Sequence, residues 1–599
     1  MRLINVKAFL RREKLIGRGK RVDRGTNVFK FCDDEATAYA ILSHRWIEQE
    51  VNYDEMVRLE KMEKGEQDEV RGRLGYRKIL DSCKQAEKDT YEWLWVDTCC
   101  INKESSAELS EAINSMYRWY ENSKICYAYL HDVHDSSFPD EEDDKTYPKF
   151  NGWPEWFSRG WTLQEMIAPS NVQFFNRDWQ PIGDKRKLAP TLTRITRVPQ
   201  HILTDGLFGN RPCVAQIMSW AANRTTTRVE DRSYSLLGLL DVNMPMLYGE
   251  GKKAFHRLQL EIIRMSNDQS IFAWGGFFRE NQRTGSILAD DPSFFWDCNE
   301  MELIGHDEFI QELKDDIPGG DLPSIEEDRF GVFPITNRGI QIWMLLRPLK
   351  GSASVFEAML PCRYYSDAPP VHIYLALWES NYYAYFGPWL GFFPAQGTLQ
   401  FRQVYLKYQD IPHRDVTFEI DHSAVIEEGL IYCGSYPSEN MGTTLTPTSV
   451  NPLSIKVYSN SQANCFLLVC IGQCFGHNWI HFVYEKSAIT KKRYSWGDYA
   501  KEEYNKMLAR GPEHIASKDR VPFLGELDGR IWVKHAGLPG STWTVRTFGI
   551  VRERSKKCEV RIEVSQDPRL CNVSGEWRDL SNIEVGESFL CLQALSHGH

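Results

Sequence analysis

The sequence predicts three regions. These are an α/β domain built on a parallel sheet over residues 1–180, a helical extension over 181–275, and a β-rich region, sandwich or barrel, over 276–599. Three observations predict them. Short apolar runs alternate with amphipathic helical patterns in the first 180 residues, as in a sheet covered by helices on both faces. The apolar period stays near that of a helix to about residue 275 and then shifts toward two. At 599 residues the chain is also too long for a single core.

Taken in order, Tyr39-Ala40-Ile41-Leu42-Ser43 is a buried-strand run ending in His44-Arg45. Glu69 to Lys88 reads as one helix, with Leu74, Ile79, Leu80, Cys83 and Ala86 as its apolar stripe. Trp93-Leu94-Trp95-Val96 is a second strand, terminating in Asp97. Ser105 and Glu108 have capping-box spacing ahead of Leu109, Ile113, Met116, Tyr117 and Tyr120. Ile125 to Leu130 is a third strand, and Val172 to Phe175 a last one after the acidic loop Asp140 to Asp144. Between them, Pro154 and Pro169 bracket a helix of about two or three turns carrying Trp161 and Glu165 on one face. In the helical extension, Thr227 and Glu230 suggest another capping box. Gly249 to Lys252 reads as a turn, and Ala254 to Met265 as an amphipathic helix. Val371 to Leu377, Phe466 to Cys470, Trp479 to Val483 and Val560 to Val564 read as strands separated by turns.

Composition excludes several function classes. A net charge of −11 argues against a general nucleic-acid binder, and the basic run from Arg11 to Arg21 reads as a solvated loop. No apolar window is long enough to cross a bilayer, and Met1 to Lys7 lacks a signal peptide's apolar stretch. The 15 cysteines are odd in number and irregularly spaced, so reduced thiols in a cytoplasmic protein are expected. Cys470 and Cys474 read as packed thiols. There is no GxxxxGK[ST], no HExxH and no paired CxxC, so neither a P-loop nor a bound metal or other cofactor is expected. His131-Asp132-Val133-His134-Asp135 reads as polar residues following a strand.

In parallel sheets, ligands bind beyond the carboxyl ends of the strands. That rule gathers Ser43, His44, Arg45, Asp97, Cys99, Cys100, His131 and Asp132 into one polar crevice. Glu165 is its candidate catalytic group; the structural alternative is a carboxylate paired with Arg159 or Arg45. Asp97 would cap the next turn or orient Arg45, and Trp161 would pack in the core or flank a ring. Cys99 or Cys100 with His44 is the thiol–imidazole alternative. Arg228 or Arg232 would reach the crevice from the helical extension.

Four blocks carry a resemblance. They are Tyr39-Ala40-Ile41-Leu42-Ser43-His44-Arg45-Trp46, Leu94 through Asn102, Arg159 through Glu165, and Thr226 through Gly238 followed by Met246 to Gly251. Together with the opening Met1 to Asn5, they resemble the fungal HET (heterokaryon incompatibility) domain over about the first 275 residues. Lys103 stands where that family usually has Gln, a change expected to alter only local surface. The resemblance implies a flavodoxin/TIR-like sheet and a cell-death role in self/non-self recognition. HET domains are distant relatives of TIR domains, several of which cleave NAD with one Glu in a motif resembling Ser-x-Trp-Cys-x-x-Glu. Ser158, Trp161 and Glu165 can be laid on that motif with one extra residue between Ser and Trp. On that reading NAD is the substrate, Glu165 is catalytic, and Ser43, Arg45, Asp97 and Trp161 bind substrate. The non-enzymatic alternative is a module that self-associates through the HET domain and answers an unknown protein trigger, with the β-rich half as sensor.

Overall fold

The computed structural model describes residues 1–19, 27–207, 209, 211–275, 284–318, 327–349, 355–379, 382–386, 397–409, 417–421, 431–437, 444–445, 453–460, 465–474, 477–485, 495–510, 531–537, 543–552, 557–566 and 578–579. Its N-terminal sheet contains β1 (Arg2–Asn5), β2 (Phe29–Phe31), β3 (Tyr39–His44), β4 (Trp93–Trp95), β5 (Ile125–Tyr129), β6 (Val172–Phe175) and β7 (Pro181–Asp184). Their order is β2-β1-β4-β3-β5-β6-β7. The pairs β3–β4, β3–β5 and β5–β6 are parallel, whereas β1–β2, β1–β4 and β6–β7 are antiparallel. The four expected strands therefore form a parallel centre, and the sheet as a whole is mixed. The flanking strands β1, β2 and β7 span three or four residues each and mix polar or turn-forming residues with apolar ones, so they lack an apolar run of the kind that marks the equally short β4 and β6.

Every residue of β3 is buried. Successive side chains of a strand point to opposite faces, so both faces of the sheet are covered. The helices of this region are α1 (Val6–Gly17), α2 (Tyr53–Arg58), α3 (Lys64–Gly72), α4 (Leu74–Lys88), α5 (Asp97–Cys100), α6 (Ser106–Asn122) and α7 (Thr162–Ile167). The single helix expected from Glu69 to Lys88 is broken at Arg73, which is extended (φ −65°, ψ 145°). Arg73 bonds Glu55 at 2.7 Å and Glu69 at 2.8 Å, and these pairs hold the corner. The basic run lies in α1 through Lys14, and Arg18 follows as that helix's C-cap residue. Arg12 is buried there, donating to the Met56 carbonyl at 2.9 Å, so the solvated-loop reading fails for this residue. Residues 20–26 lie outside the described residues. The Ser105 capping box is half formed. Its hydroxyl accepts from Glu108 N, but the Glu108 carboxylate turns to Arg2 and to Asn102 N.

The helical extension comprises α8 (Lys185–Thr196), α9 (Gln200–Asp205), α10 (Val214–Ala221), α11 (Asp231–Tyr234), α12 (Leu237–Leu240) and α13 (Lys253–Met265). Met265, expected on the apolar face of α13, is exposed because it is the helix's last residue. One apolar core runs from Leu3 through these helices to Leu406.

The four strands expected beyond residue 276 are present as His372–Glu379, Cys465–Cys474, His477–Glu485 and Lys557–Gln566. Pairings among Ile340–Pro348, Val355–Met359, His372–Glu379, Tyr382–Phe386 and Gln400–Leu406 close these strands into a ring. A four-stranded antiparallel sheet follows, with the apolar side of helix Trp496–Arg510 against it. A further six-stranded sheet includes Lys557–Gln566. Cys470 is buried, as expected of a packed thiol, and the Cys474 side chain lies outside the described residues. Among the described residues no helix is long and apolar enough to cross a membrane.

Candidate functional site

Strand alternation divides the residues at the end of β3 between two faces. Tyr39 donates from its hydroxyl to the Trp119 carbonyl of α6 at 2.5 Å, which fixes Tyr39, Ile41 and Ser43 on the α6 side. His44 then points to the other face, where Lys78 of α4 bonds the Arg45 carbonyl at 3.2 Å and pairs with Glu50.

On the α6 side, Ser43 meets Glu165. The Ser43 hydroxyl donates to Glu165 Oε2 and accepts from Trp156 Nε1 at 2.9 Å. Trp156 in turn packs edge-on against Phe157 and Phe174, at ring separations of 5.0 and 5.8 Å. Glu165 is only 8% exposed. Burial in this apolar setting pushes its carboxyl up to about 8, outweighing the Ser43 hydrogen bond that favours the ionised form; the nearby Asp97 charge pushes the same way as burial. The aromatic side chain bonded to this pair is Trp156. Trp161 precedes α7 as its N-cap residue and is only partly buried, and α7 itself spans six residues, shorter than expected. Trp156 was legible as a Trp two residues beyond Pro154, but nothing in the spacing ties it to Ser43.

Arg45 pairs with Glu155 at 2.6 Å, and Glu155 also meets Lys149 at 3.1 Å. No ion pair joins Glu165 to Arg45 or Arg159 among the described residues, so the pairing offered as its structural alternative is not formed. Asp97 accepts from Trp46 Nε1 at 2.6 Å, and its other oxygen lies 3.7 Å from His44 Nε2. Burial pushes the Asp97 carboxyl up and the His44 ring well below its ordinary value; the Lys78 charge adds to the effect on His44. Lys103 does more than alter surface: its ammonium lies 3.6 Å from the centre of the Trp46 ring, beside Asp97. Among the described residues, buried atoms of His44, Arg45, Glu50, Asp97, His131 and Asp132 lack hydrogen-bond partners. The crevice expected at the strand ends is thus a cluster of under-satisfied polar groups, the sort that marks a site for a polar ligand or water.

Cys99 and Cys100 are buried, and burial holds the Cys99 thiol well above its ordinary range. A nucleophilic thiol needs the opposite shift, which disfavours Cys99 in that role.

The segment after α10 straps α7 in place. Gly160 N donates to Thr225 O at 2.9 Å, and Thr225 N to Ser158 O at 2.6 Å. Arg224, fully buried, donates to Arg159 O at 2.9 Å and to Thr162 Oγ1 at 3.0 Å. It, and not Arg228 or Arg232, is the arginine that reaches this site. Arg228 lies over the Tyr248 ring, and Arg232 pairs with Asp291 at 2.6 Å. Thr227 does not cap a helix; its hydroxyl accepts from Arg159 Nη2. The Glu230 carboxylate instead accepts from Gly249 N and Gly251 N, closing the turn ahead of α13.

A family model described as "Heterokaryon incompatibility protein (HET)" matches residues 39–151, which span β3, β4 and β5 with their crevice. The chain carries a HET domain. The vegetative incompatibility protein HET-E-1 of Podospora anserina is 42% identical to it over 227 residues, 37% of this chain and 16% of that protein. The chain therefore matches about a sixth of that relative's length. A second model, for a domain of unknown function (DUF8212), matches residues 253–284 beyond the HET domain. No solved structure matches. The HET match ends before Glu165, so the family comparison does not reach the carboxylate.

Proposed function

We propose that this HET domain acts in fungal heterokaryon incompatibility as a cell-death effector, and that Glu165 serves cleavage of NAD at its nicotinamide–ribose bond. The observation that carries the reading is the buried Ser43–Glu165–Trp156 cluster. It sits where β3 and β5 end, and there the chain's crossovers diverge to opposite sides of the sheet. The order β4-β3-β5-β6 supports a TIR-like kinship, and the name of the Podospora relative supports the incompatibility role.

The chemistry needs one carboxylate. As the C–N bond breaks, its electron pair leaves on the nicotinamide nitrogen and neutralises the ring's positive charge, so the leaving group takes no proton. The ribose carbon gains oxocarbenium character that an ionised Glu165 stabilises; water then adds there and releases a proton. Ser43 orients Glu165 through its hydrogen bond, and the cationic substrate favours the ionised form. Arg45, held by Glu155, and Asp97 at the crevice mouth would meet phosphate and ribose.

One observation favours a second reading. Glu165 is so enclosed that it also suits a purely structural carboxylate in a self-associating, non-enzymatic module. Measuring NAD consumption by the purified full chain, under conditions that drive oligomerisation, separates the two. The enzymatic reading expects turnover that falls at least 100-fold in Glu165→Gln and about tenfold in Ser43→Ala. If the wild type kills cells while their NAD stays constant, the enzymatic reading is lost and the self-associating module stands.

A further inference from the structure

Three arginines converge on one cavity without a carboxylate partner. The cavity, about 180 Å³, lies between the 142–153 segment, α8, α10 and Trp296. Arg194, Arg197 and Arg224 line it, and among the described residues none of them has an acidic side chain within ion-pair distance. Arg194 donates to the Asp140 carbonyl. Arg197 donates to the Trp296 carbonyl at 2.8 Å and to Asn299 Oδ1, with its guanidinium 4.1 Å from the Trp296 ring centre. Arg224 uses Nε and Nη1 on protein acceptors, and its Nη2 has none among the described residues. Trp220, 3% exposed, lines the same cavity with an indole N–H that lacks an acceptor.

Guanidinium and indole groups donate hydrogen bonds and accept none. A cavity furnished with them demands an occupant that accepts. Its aromatic walls thin the solvent and strengthen each charge interaction. A buried cation without a partner is costly, and burial accordingly lowers Arg224 to about 9. Glu142 is the one acidic lining residue and is exposed at the rim. The space is smaller than the roughly 300–1,000 Å³ of sites for drug-sized ligands.

We propose that this cavity is a binding site for a compact oxyanion of the phosphate or sulfate class, held by Arg224, Arg197 and the Trp220 indole, with Arg194 at its mouth. Because Arg224 also bonds Arg159 O and Thr162 Oγ1, occupancy braces the start of α7, the helix that carries Glu165.

Titration calorimetry of the full chain with inorganic phosphate, at ionic strength fixed with chloride, tests the site. Saturable binding is expected, about tenfold weaker in Trp220→Phe, which keeps an aromatic six-membered ring and removes the N–H, and weaker again when combined with Arg194→Gln at the exposed rim. Both substitutions leave the side-chain bonds of Arg224 in place, and thermal melting checks that each variant folds. ADP forms the second arm. Binding of ADP with the same variant sensitivity would identify a nucleotide as the source of the phosphoryl group, and phosphate binding alone would identify the free anion. Affinities unchanged in both variants, or stabilisation by chloride equal to that by phosphate, would overturn the proposal.

Discussion

Glu165 is the residue whose environment makes the sharpest demand. Its carboxyl titrates near 8 in the folded chain because burial outweighs the Ser43 hydrogen bond. If the ionised form acts on NAD, kcat/KM should rise with pH and level off above about 8. Ser43→Ala removes a bond that favours ionisation, so the midpoint of that profile should move upward. A profile that falls across this range would contradict an ionised catalytic group. The same shift has a stability counterpart independent of any activity. The folded value lies above the unfolded one, so the group's contribution is fully present below the ordinary carboxyl range and is lost as pH rises toward about 8. Glu165→Gln cannot ionise. Its melting temperature relative to wild type should therefore climb between pH 5 and pH 8.5 by roughly 3–6 °C, an order-of-magnitude figure from the usual pH linkage. A constant difference across that range would show that Glu165 is ionised throughout.

Among elements, α7 depends on a strap that lies far away in sequence. Gly160 and Gly238, both inside the blocks that resemble the family, are explained by close approach. A Cβ at Gly238 would lie 2.0 Å from Tyr117 Cβ on α6, an atom close to the backbone that has little room to yield. At Gly160 it would meet Thr226 Cγ2 at 2.7 Å and Ser235 Oγ at 3.1 Å, both tips of small side chains. Denaturant titrations should therefore show Gly238→Ala destabilised by about 2–3 kcal/mol and Gly160→Ala by about 1 kcal/mol. The reverse order would refute this packing account. These contacts also mark what the sequence made legible. The four central strands were readable because buried parallel strands are continuous apolar runs, and their carboxyl ends placed Ser43 and Asp97 in one region. The flanking strands β1, β2 and β7 interrupt their apolar residues with polar or turn-forming ones, and the corner at Arg73 rests on ion pairs that no apolar pattern encodes. Glu165 was legible as a lone carboxylate in a motif. Trp156, the partner of Ser43, and the strap through Arg224 were not, since both depend on side chains 113 and 62 residues from their partners.

At the scale of the whole molecule, the helical extension and the first part of the β-rich region share interior. Gln259 of α13 donates to the Ala289 carbonyl at 2.8 Å, Trp274 Nε1 donates to the Ile287 carbonyl at 2.7 Å, and Arg197 to that of Trp296 at 2.8 Å. Phe295, Cys298 and Met301 are buried in the core that includes α10 and α13, and the same core continues into the ring of strands that ends at Leu406. A chain cut after residue 275 would expose that apolar face and strand the buried donors, each a cost of about 1–3 kcal/mol. A chain cut after residue 409 keeps the ring and every one of these contacts. Expression of the two truncations side by side should give a soluble, cooperatively melting protein for 1–409 and an aggregated or non-cooperative one for 1–275. If 1–275 instead melts cooperatively near the full-length temperature, the shared core contributes little, and the β-rich half is free to act as a separable sensor. If only 1–409 folds, the ring and the helical extension form one folding unit, and residues 287–301 are the place to look for variants that loosen one from the other.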